Sequence, residues 1–143
     1  MKIVSHRGNI EGPDSNLENR PDQIRWAMNL GFDVEVDVWR AGSSWMLGHD
    51  KPSYSVEEDF FTTGMWVHCK NFEAISEMKK KSRNFEFFWH ENDRMTLTSG
   101  LIPWCYSGQY IEGGITVHLS GPALVPLKSL GICTDFPKEW SLK

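Results

Sequence analysis

Four of the five histidines in the chain end or directly follow runs of β-forming residues: His6, His49, His68 and His90. Imidazole titrates near neutral pH, so two histidines can together remove a proton from a nucleophile and supply one to a leaving group. The carboxyl ends of parallel strands meet at one edge of a sheet, and we therefore expect these four side chains to converge. Taken singly, a histidine after a strand is more often an ordinary loop residue.

The segment 32–39 adds carboxylates, because its residues alternate between apolar and acidic. Glu35 and Asp37 share one face of the strand that this period of two predicts. On a half-exposed strand such a face would be solvated. In a closed sheet it would point inward, where two unpaired carboxylates are costly and a divalent cation would offset their charge. Oxygen ligands suit Mg²⁺ or Ca²⁺, and an added imidazole would admit Mn²⁺ or Zn²⁺.

The elements that must position these residues follow from hydrophobic periodicity. Eight short strands are predicted at residues 2–5, 32–39, 44–48, 65–69, 85–89, 101–105, 114–118 and 130–134. Helices are predicted at 21–30, which begins with Pro21 and is followed by Gly31, and at 72–81, which ends in three lysines. A shorter turn is expected at 55–61, where a capping-box pattern occurs.

Strands that alternate with helices favour an α/β fold with a parallel sheet. Eight strands indicate closure into a compact TIM (β/α)8-type barrel, in a single domain that spans residues 1–143. The chain leaves about 18 residues per strand unit, against about 31 in a typical barrel of about 250 residues. Several helices must therefore be shortened or missing. An open sheet is the structural alternative, because periodicity does not distinguish the two.

Composition excludes several partners. The formal charge of −4 and the pI near 5.7 argue against nucleic acid, which needs a basic surface. No apolar run approaches the roughly 18 residues of a membrane span, so no membrane partner is expected. Cys69, Cys105 and Cys133 are odd in number and far apart, which is typical of buried thiols in a reducing compartment. The prediction is a cytoplasmic protein.

Five short motifs occur in a characteristic order. They are His6-Arg7-Gly8, Glu18-Asn19, the segment 31–38 with its Glu-x-Asp pair, Gly48-His49-Asp50, and Cys133-Thr134-Asp135-Phe136-Pro137. In residue type and in spacing this order resembles the glycerophosphodiester phosphodiesterase family. The resemblance is dense over residues 3–50, returns at 67–70 and 132–137, and is faint between. It implies a TIM barrel, with the last motif on the eighth strand.

The resemblance also implies roles for individual residues. His6 and His49 would act as general base and general acid across a phosphodiester. Arg7 would hold a phosphate oxygen through its fork of donors, and Asn19 would complete the phosphate pocket.

A divalent metal ion is implied as cofactor. Glu35 and Asp37 match the metal-binding carboxylates of the family, and Glu18 is assigned as a further ligand on the same basis. Mg²⁺ or Ca²⁺ is the expected ion, with Mn²⁺ or Zn²⁺ as alternatives.

The fourth strand departs from the family pattern. His68-Cys69-Lys70 stands where the family usually has Glu-x-Lys, so His68 is named as a candidate metal ligand in place of that Glu. If His68 binds the metal, the preference shifts towards Mn²⁺ or Zn²⁺; if it does not, the site lacks a ligand and is weak. Lys70 keeps the position of the family lysine and is expected to contact phosphate. His90 has no counterpart, and we assign it to the substrate pocket because it ends a strand.

The function expected from these residues is hydrolysis of a small glycerophosphodiester-like or sugar phosphodiester to a phosphomonoester and an alcohol. The alternative is a barrel that keeps the pocket and binds a phosphorylated ligand without turnover. A barrel with few covering helices would expose the backs of its strands, which is compatible with a homo-oligomer.

Overall fold

A curled β-sheet organises residues 1–142, the part of the chain that the computed structural model describes. Its ten strands are β1 (Lys2–His6), β2 (Asp33–Ala41), β3 (Ser44–Leu47), β4 (Tyr54–Val56), β5 (Met65–Cys69), β6 (Glu86–Trp89), β7 (Met95–Leu97), β8 (Pro103–Cys105), β9 (Ile115–Val117) and β10 (Gly131–Thr134). The helices are α1 (Pro21–Asn29), α2 (Phe72–Met78) and α3 (Pro137–Ser141), and a 3-10 turn covers Glu58–Phe60.

Seven strands run parallel, in the order β6-β5-β2-β1-β10-β9-β8, and β7 pairs antiparallel with β8 at one edge. β2 is long enough to have two partners on one side. Asp33–Glu35 pairs parallel with β1, and Val38–Ala41 pairs antiparallel with β3 along the same edge. Val34–Val38 pairs with β5 along the other edge, and β4 extends the hairpin of β2 and β3. The register aligns His6 with Glu35 and Asp37 with His68, which sets the polar residues of three strands side by side.

The sheet curls enough for distant strands to touch. Trp66 on β5 and Trp104 on β8 lie 5.5 Å apart between ring centroids, although four strands separate them in the sheet order. Phe88 on β6 also stacks on Trp104, at 4.7 Å. These rings form the floor of the concave side together with Val4 and Ile115, and all five side chains are buried. Side-chain packing therefore maintains the curl.

Two helices cover the convex side of β2 and β5. α1 begins with Pro21, whose fixed backbone suits the first helical position, and buries Ile24 and Ala27. Asn71 caps the N-terminus of α2, and its side chain accepts a hydrogen bond from the Ala74 main-chain N–H. Their buried residues pack in one cluster with the apolar face of β2, made of Val34, Val36 and Val38. β2 is thus buried on both faces.

The prediction of a compact TIM (β/α)8-type barrel is wrong. The sheet is a curled, mixed half-barrel, and the described chain has only three short helices, which do not alternate with the strands. β3 turns back on β2 as a hairpin, so it is not a barrel strand. Between β7 and β10 glycine and proline recur, at Gly100, Pro103, Gly108, Gly121 and Pro122 among other positions, which disfavours helices there.

Within residues 1–142, β6 and β7 share no strand ladder, so the sheet does not close through regular pairing. The gap is bridged by hydrogen bonds from the Ser99 main-chain N–H to the Phe87 carbonyl at 2.8 Å and from the Thr96 hydroxyl to the Trp89 carbonyl at 2.9 Å. The open-sheet alternative is therefore closer to this topology than a closed barrel is.

All eight predicted strand positions carry a strand, and both predicted helices are present with shorter C-terminal ends. The sequence did not predict β4, β7 or α3. The three cysteines are buried and unpaired, as expected. None of the helices described for residues 1–142 has the combined length and apolarity that a membrane span requires.

Candidate functional site

A cavity of about 290 Å³ opens at the carboxyl ends of the parallel strands. Eight of the ten site residues predicted from the sequence line it: His6, Arg7, Glu35, Asp37, His49, His68, Lys70 and His90. Glu18 and Asn19 instead line an adjacent groove that shares Arg7 and His49 with the cavity. The convergence expected for the four histidines is therefore present in the structure.

Glu35, Asp37 and His68 form the compact centre of this site. One ligand atom from each lies within 4.8 Å of the other two. Both carboxylates are buried, and they share a face because they are two residues apart on β2. The register of β5 against β2 then sets His68 opposite Asp37. Glu18 does not belong to this cluster, because its carboxylate pairs with Arg7.

The imidazole of His68 has a fixed orientation. Its Nε2 lies 2.8 Å from the carbonyl oxygen of His90, and a carbonyl only accepts, so Nε2 carries a proton. Its Nδ1 lies 3.1 Å from Asp37 Oδ1 and 3.7 Å from Glu35 Oε1. Burial alone would lower the pKa of His68, but the two carboxylates raise it to about 9. Nδ1 therefore holds a proton unless a cation takes its place.

Asp37 is the most heavily coordinated carboxylate in the site. Asn19 donates to its Oδ2 at 2.9 Å and accepts from its main-chain N–H at 2.9 Å. Lys70 Nζ lies 3.6 Å from Oδ1, and Arg7 Nε lies 3.2 Å from Oδ2. Burial would raise the pKa of Asp37, but His68, Arg7 and Lys70 hold it well below its usual range. Asp37 is therefore ionised throughout the physiological range.

His6 is oriented by a carboxylate from the opposite end of the chain. Its Nδ1 lies 2.7 Å from Asp135 Oδ1, which also accepts a hydrogen bond from Asn9 Nδ2 at 2.8 Å. Nδ1 therefore donates, and Nε2 remains free to exchange a proton, 4.0 Å from Glu35 Oε2. Burial opposes protonation of His6, but Asp135 and Glu35 together raise its pKa above the ordinary value.

His49 occupies the rim, with 41% of its side chain exposed. Its Nδ1 lies 2.6 Å from Asp50 Oδ1, so its Nε2, like that of His6, is free to exchange a proton. Gly48 positions it. The main-chain N–H of Gly48 donates to the Asp37 carbonyl, and a Cβ at Gly48 would lie only 2.1 Å from the Lys51 carbonyl oxygen. With φ near +149°, this turn requires glycine.

Arg7 adopts a left-handed backbone conformation, with φ of +53°. This conformation directs its main-chain N–H to the Glu35 carbonyl at 3.0 Å and to Glu35 Oε2 at 3.2 Å. Its guanidinium donates to Glu18 Oε2 at 3.1 Å, and Glu18 also accepts from Asn9. A non-glycine residue at positive φ costs energy and tends to occur at functional sites.

His90 directly follows β6 and lines the cavity, with its ring centroid 6.2 Å from that of His68. Its Nε2 donates to the Asp93 carbonyl at 2.7 Å, and its ring stacks on Tyr106, with centroids 4.9 Å apart and an angle of 13° between planes. Its role is thus divided, because its carbonyl fixes His68 while its ring supports Tyr106. The prediction that His90 contacts substrate stays a prediction.

Sequence reasoning assigned no role to Asn9, Asp135 or Tyr106, which all contribute to the site. Asp135 belongs to the motif at residues 133–137, and its position as a carboxylate directly after a predicted strand was the available signal. Asn9 and Tyr106 gave none, because a single amide or phenol beside a strand is common in any protein.

No family model matches the chain, and no curated protein or solved structure gives a significant match.

Proposed function

We propose that this chain is a metal-dependent phosphodiesterase that hydrolyses a small organic phosphodiester to a phosphomonoester and an alcohol. The observation that carries the proposal is the gathering of two carboxylate-oriented histidines, two cationic side chains and the Glu35, Asp37 and His68 cluster around one cavity. The ordered motifs that resemble glycerophosphodiester phosphodiesterases support it. The fold of that family is not part of the proposal.

The residues present fit a divalent cation. Two carboxylate oxygens and one imidazole nitrogen are within reach of a shared point, and the His90 carbonyl already holds the His68 ring in the tautomer whose Nδ1 can coordinate. When bound, the cation supplies positive charge that offsets the charge of the phosphodiester. The mixed donor set favours Mn²⁺ or Zn²⁺ over Ca²⁺, because imidazole is a softer ligand than a carboxylate.

His6 and His49 supply the proton transfers. Each ring donates its Nδ1 proton to a carboxylate, which leaves Nε2 for exchange with the substrate. One neutral imidazole takes a proton from water as the water oxygen bonds to phosphorus. The other, as imidazolium, gives a proton to the alkoxide as its bond to phosphorus breaks. Each transfer contributes roughly 10²–10⁴ in rate.

Arg7 and Lys70 are suited to hold the phosphate oxygens. Their cationic groups lie 3.2 Å and 3.6 Å from Asp37, at the edge of the metal cluster, and both line the cavity. An anionic phosphodiester resists attack by an electron pair, so positive charge fixed beside it lowers the barrier. Arginine additionally offers a planar fork that matches two phosphate oxygens.

The test is hydrolysis of bis(p-nitrophenyl) phosphate by metal-stripped protein, titrated separately with Mg²⁺, Ca²⁺, Mn²⁺ and Zn²⁺. His6→Ala and His49→Ala should each lower metal-restored kcat by about 10²–10⁴. His49→Ala should leave metal affinity, measured by calorimetry, nearly unchanged, because His49 is not in the cluster.

His118→Ala is the matched control. Its Nε2 contacts Ser120 and Gly121 outside the cavity, so the variant should keep turnover within a few-fold of the parent. Folded protein that binds inorganic phosphate but shows no turnover with any of the four metals would instead identify a binding protein without catalysis.

A further inference from the structure

The cavity has two chemically different walls. The charged wall comes from β1, β2 and β5 and the residues that follow them, namely His6, Arg7, Glu35, Asp37, His68 and Lys70. The opposite wall comes from the ends of β8 and β9, where Trp104, Tyr106, Val117 and Leu119 line the same cavity. The curl of the sheet brings the walls face to face, since β8 meets β5 across the interior. A ligand that fills the cavity touches both.

Tyr106 is the prominent feature of this second wall. One face of its ring is covered by His90, which the Asp93 carbonyl holds in place. The residue is nevertheless 51% exposed, and it lines the cavity. The other face of the Tyr106 ring is thus accessible, and the stacked His90 ring fixes the plane of the Tyr106 ring. Such an arrangement is a preformed stacking surface.

Leu119 adds an apolar edge to this surface. It lies two residues after the end of β9, is 40% exposed, and lines the same cavity. Val117 and Trp104 of the same wall are buried, and the indole N–H of Trp104 is the one polar group of their two side chains. Exposed apolar side chains gathered at a concave site mark a place where a ligand removes them from water. Glu91 and Asn92 lie exposed at the rim and are the polar exceptions.

We propose that the ligand of this cavity is a phosphoester whose ester group carries a flat aromatic ring, stacked on Tyr106 and in contact with Leu119. This inference rests on the proposed function for its phosphate end and adds the class of the alcohol. A glycerol or sugar group would need hydrogen-bonding partners for each hydroxyl, whereas this wall offers mostly ring faces and alkyl groups, with the Tyr106 hydroxyl and the Trp104 N–H as its polar groups. An aromatic ring matches that surface without unpaired polar groups.

The experiment measures binding rather than turnover, so that its outcome does not depend on catalysis. The full chain is loaded with Mn²⁺, and calorimetry compares inorganic phosphate with phenyl phosphate, methyl phosphate, glycerol 3-phosphate and glucose 1-phosphate. We expect phenyl phosphate to bind about 3- to 10-fold more tightly than the other esters, as one stacked ring pair implies.

Three variants test whether Tyr106 is responsible for the preference for phenyl phosphate. Tyr106→Ala should abolish the advantage of phenyl phosphate and leave inorganic phosphate binding unchanged. Tyr106→Phe keeps the ring and should retain the advantage. Tyr110→Ala is the matched control, because Tyr110 is also well exposed but lies in a different surface groove, and it should change nothing.

Equal affinities for phenyl and methyl phosphate, or tighter binding of glucose 1-phosphate, overturn the inference, and so does a preference that survives in Tyr106→Ala. A phenyl preference without hydrolysis by any metal overturns the proposed catalysis and leaves the ligand class standing. Hydrolysis without the preference overturns the ligand class alone. If inorganic phosphate and all four esters fail to bind, both are overturned.

Discussion

The first ninety residues and the segment 91–134 contribute strands to the same sheet, but the two regions differ in how far their strands are covered by other elements. In the first region, α1 and α2 cover the convex face of β2 and β5, and Val34, Val36 and Val67 are fully buried. In the second region no helix occurs. Eight of the thirteen large apolar residues that are exposed within residues 1–142 fall between Leu97 and Leu127.

The difference shows how a short chain can still build a deep polar site. Buried charged groups need partners that are held in fixed positions, and strands that are packed on both faces hold them so. The first region provides it and holds the whole charged wall. The second region contributes one apolar wall and needs only strands and loops to do so. The helices α1 and α2 therefore pack behind the strands that carry the charged residues.

The largest effect expected from this comparison concerns buried charge. Asp37→Ala leaves Arg7, His68 and Lys70 without their shared carboxylate, and removal of one partner from a buried ionic cluster costs about 3–5 kcal/mol. Urea unfolding of metal-free protein measures the loss. The control from the second region is Glu112→Ala, which breaks an exposed pair with Lys128 and should cost less than about 1 kcal/mol. Equal losses would contradict the contrast between the regions.

A somewhat smaller effect is expected in the apolar packing. Leu47 is fully buried in the cluster that contains the apolar face of β2, so Leu47→Ala should lower the free energy of unfolding by about 3 kcal/mol. Leu124 is fully exposed in the loop before β10, and Leu124→Ala should stay within about 0.5 kcal/mol of the parent. A large loss of stability in Leu124→Ala would show that another surface covers Leu124 in solution.

The last effect, close in size to the loss at Leu47, is a pH dependence that belongs to the charged wall. The pKa of His68 is about 9 in the folded protein against about 6.5 when unfolded, so the folded state binds its proton more tightly. The resulting stabilisation, on the order of 3 kcal/mol, is complete below pH 6.5 and is lost as pH rises through 9. Urea unfolding of metal-free protein at pH 6.5, 8 and 9.5 measures it. His68→Gln should flatten that profile, and an unchanged slope in the variant would assign it to another group.

The sequence predicted the local elements well. The alternation of Val34, Val36 and Val38 with acidic residues identified β2 and its two faces, and Pro21 and Gly31 bounded α1 closely. These features depend on neighbours in the chain, whose spacing is visible in the sequence itself. The sequence also predicted eight of the residues that line the cavity.

The global topology was not predictable in the same way. Whether β3 continues a parallel sheet or turns back on β2 depends on pairing energies that a period of two does not contain. Counting strands therefore suggested a closed barrel, although β3 and β4 extend an antiparallel hairpin from the end of β2. The sequence predicted that several helices are shortened or missing, and the structure has no helix between β7 and β10.

The sequence by itself determined which residues carry charge and which faces of the strands are apolar, because both follow from residue type and spacing. Only the tertiary structure decided which of them meet. Asp135 orients His6 across 129 positions of the chain, and the carbonyl of His90 fixes the ring of His68. Tyr106 lines the same cavity as the charged residues because the sheet curls until Trp66 and Trp104 pack against each other. Such contacts depend on the distance between strands in space, which residue spacing along the chain does not encode.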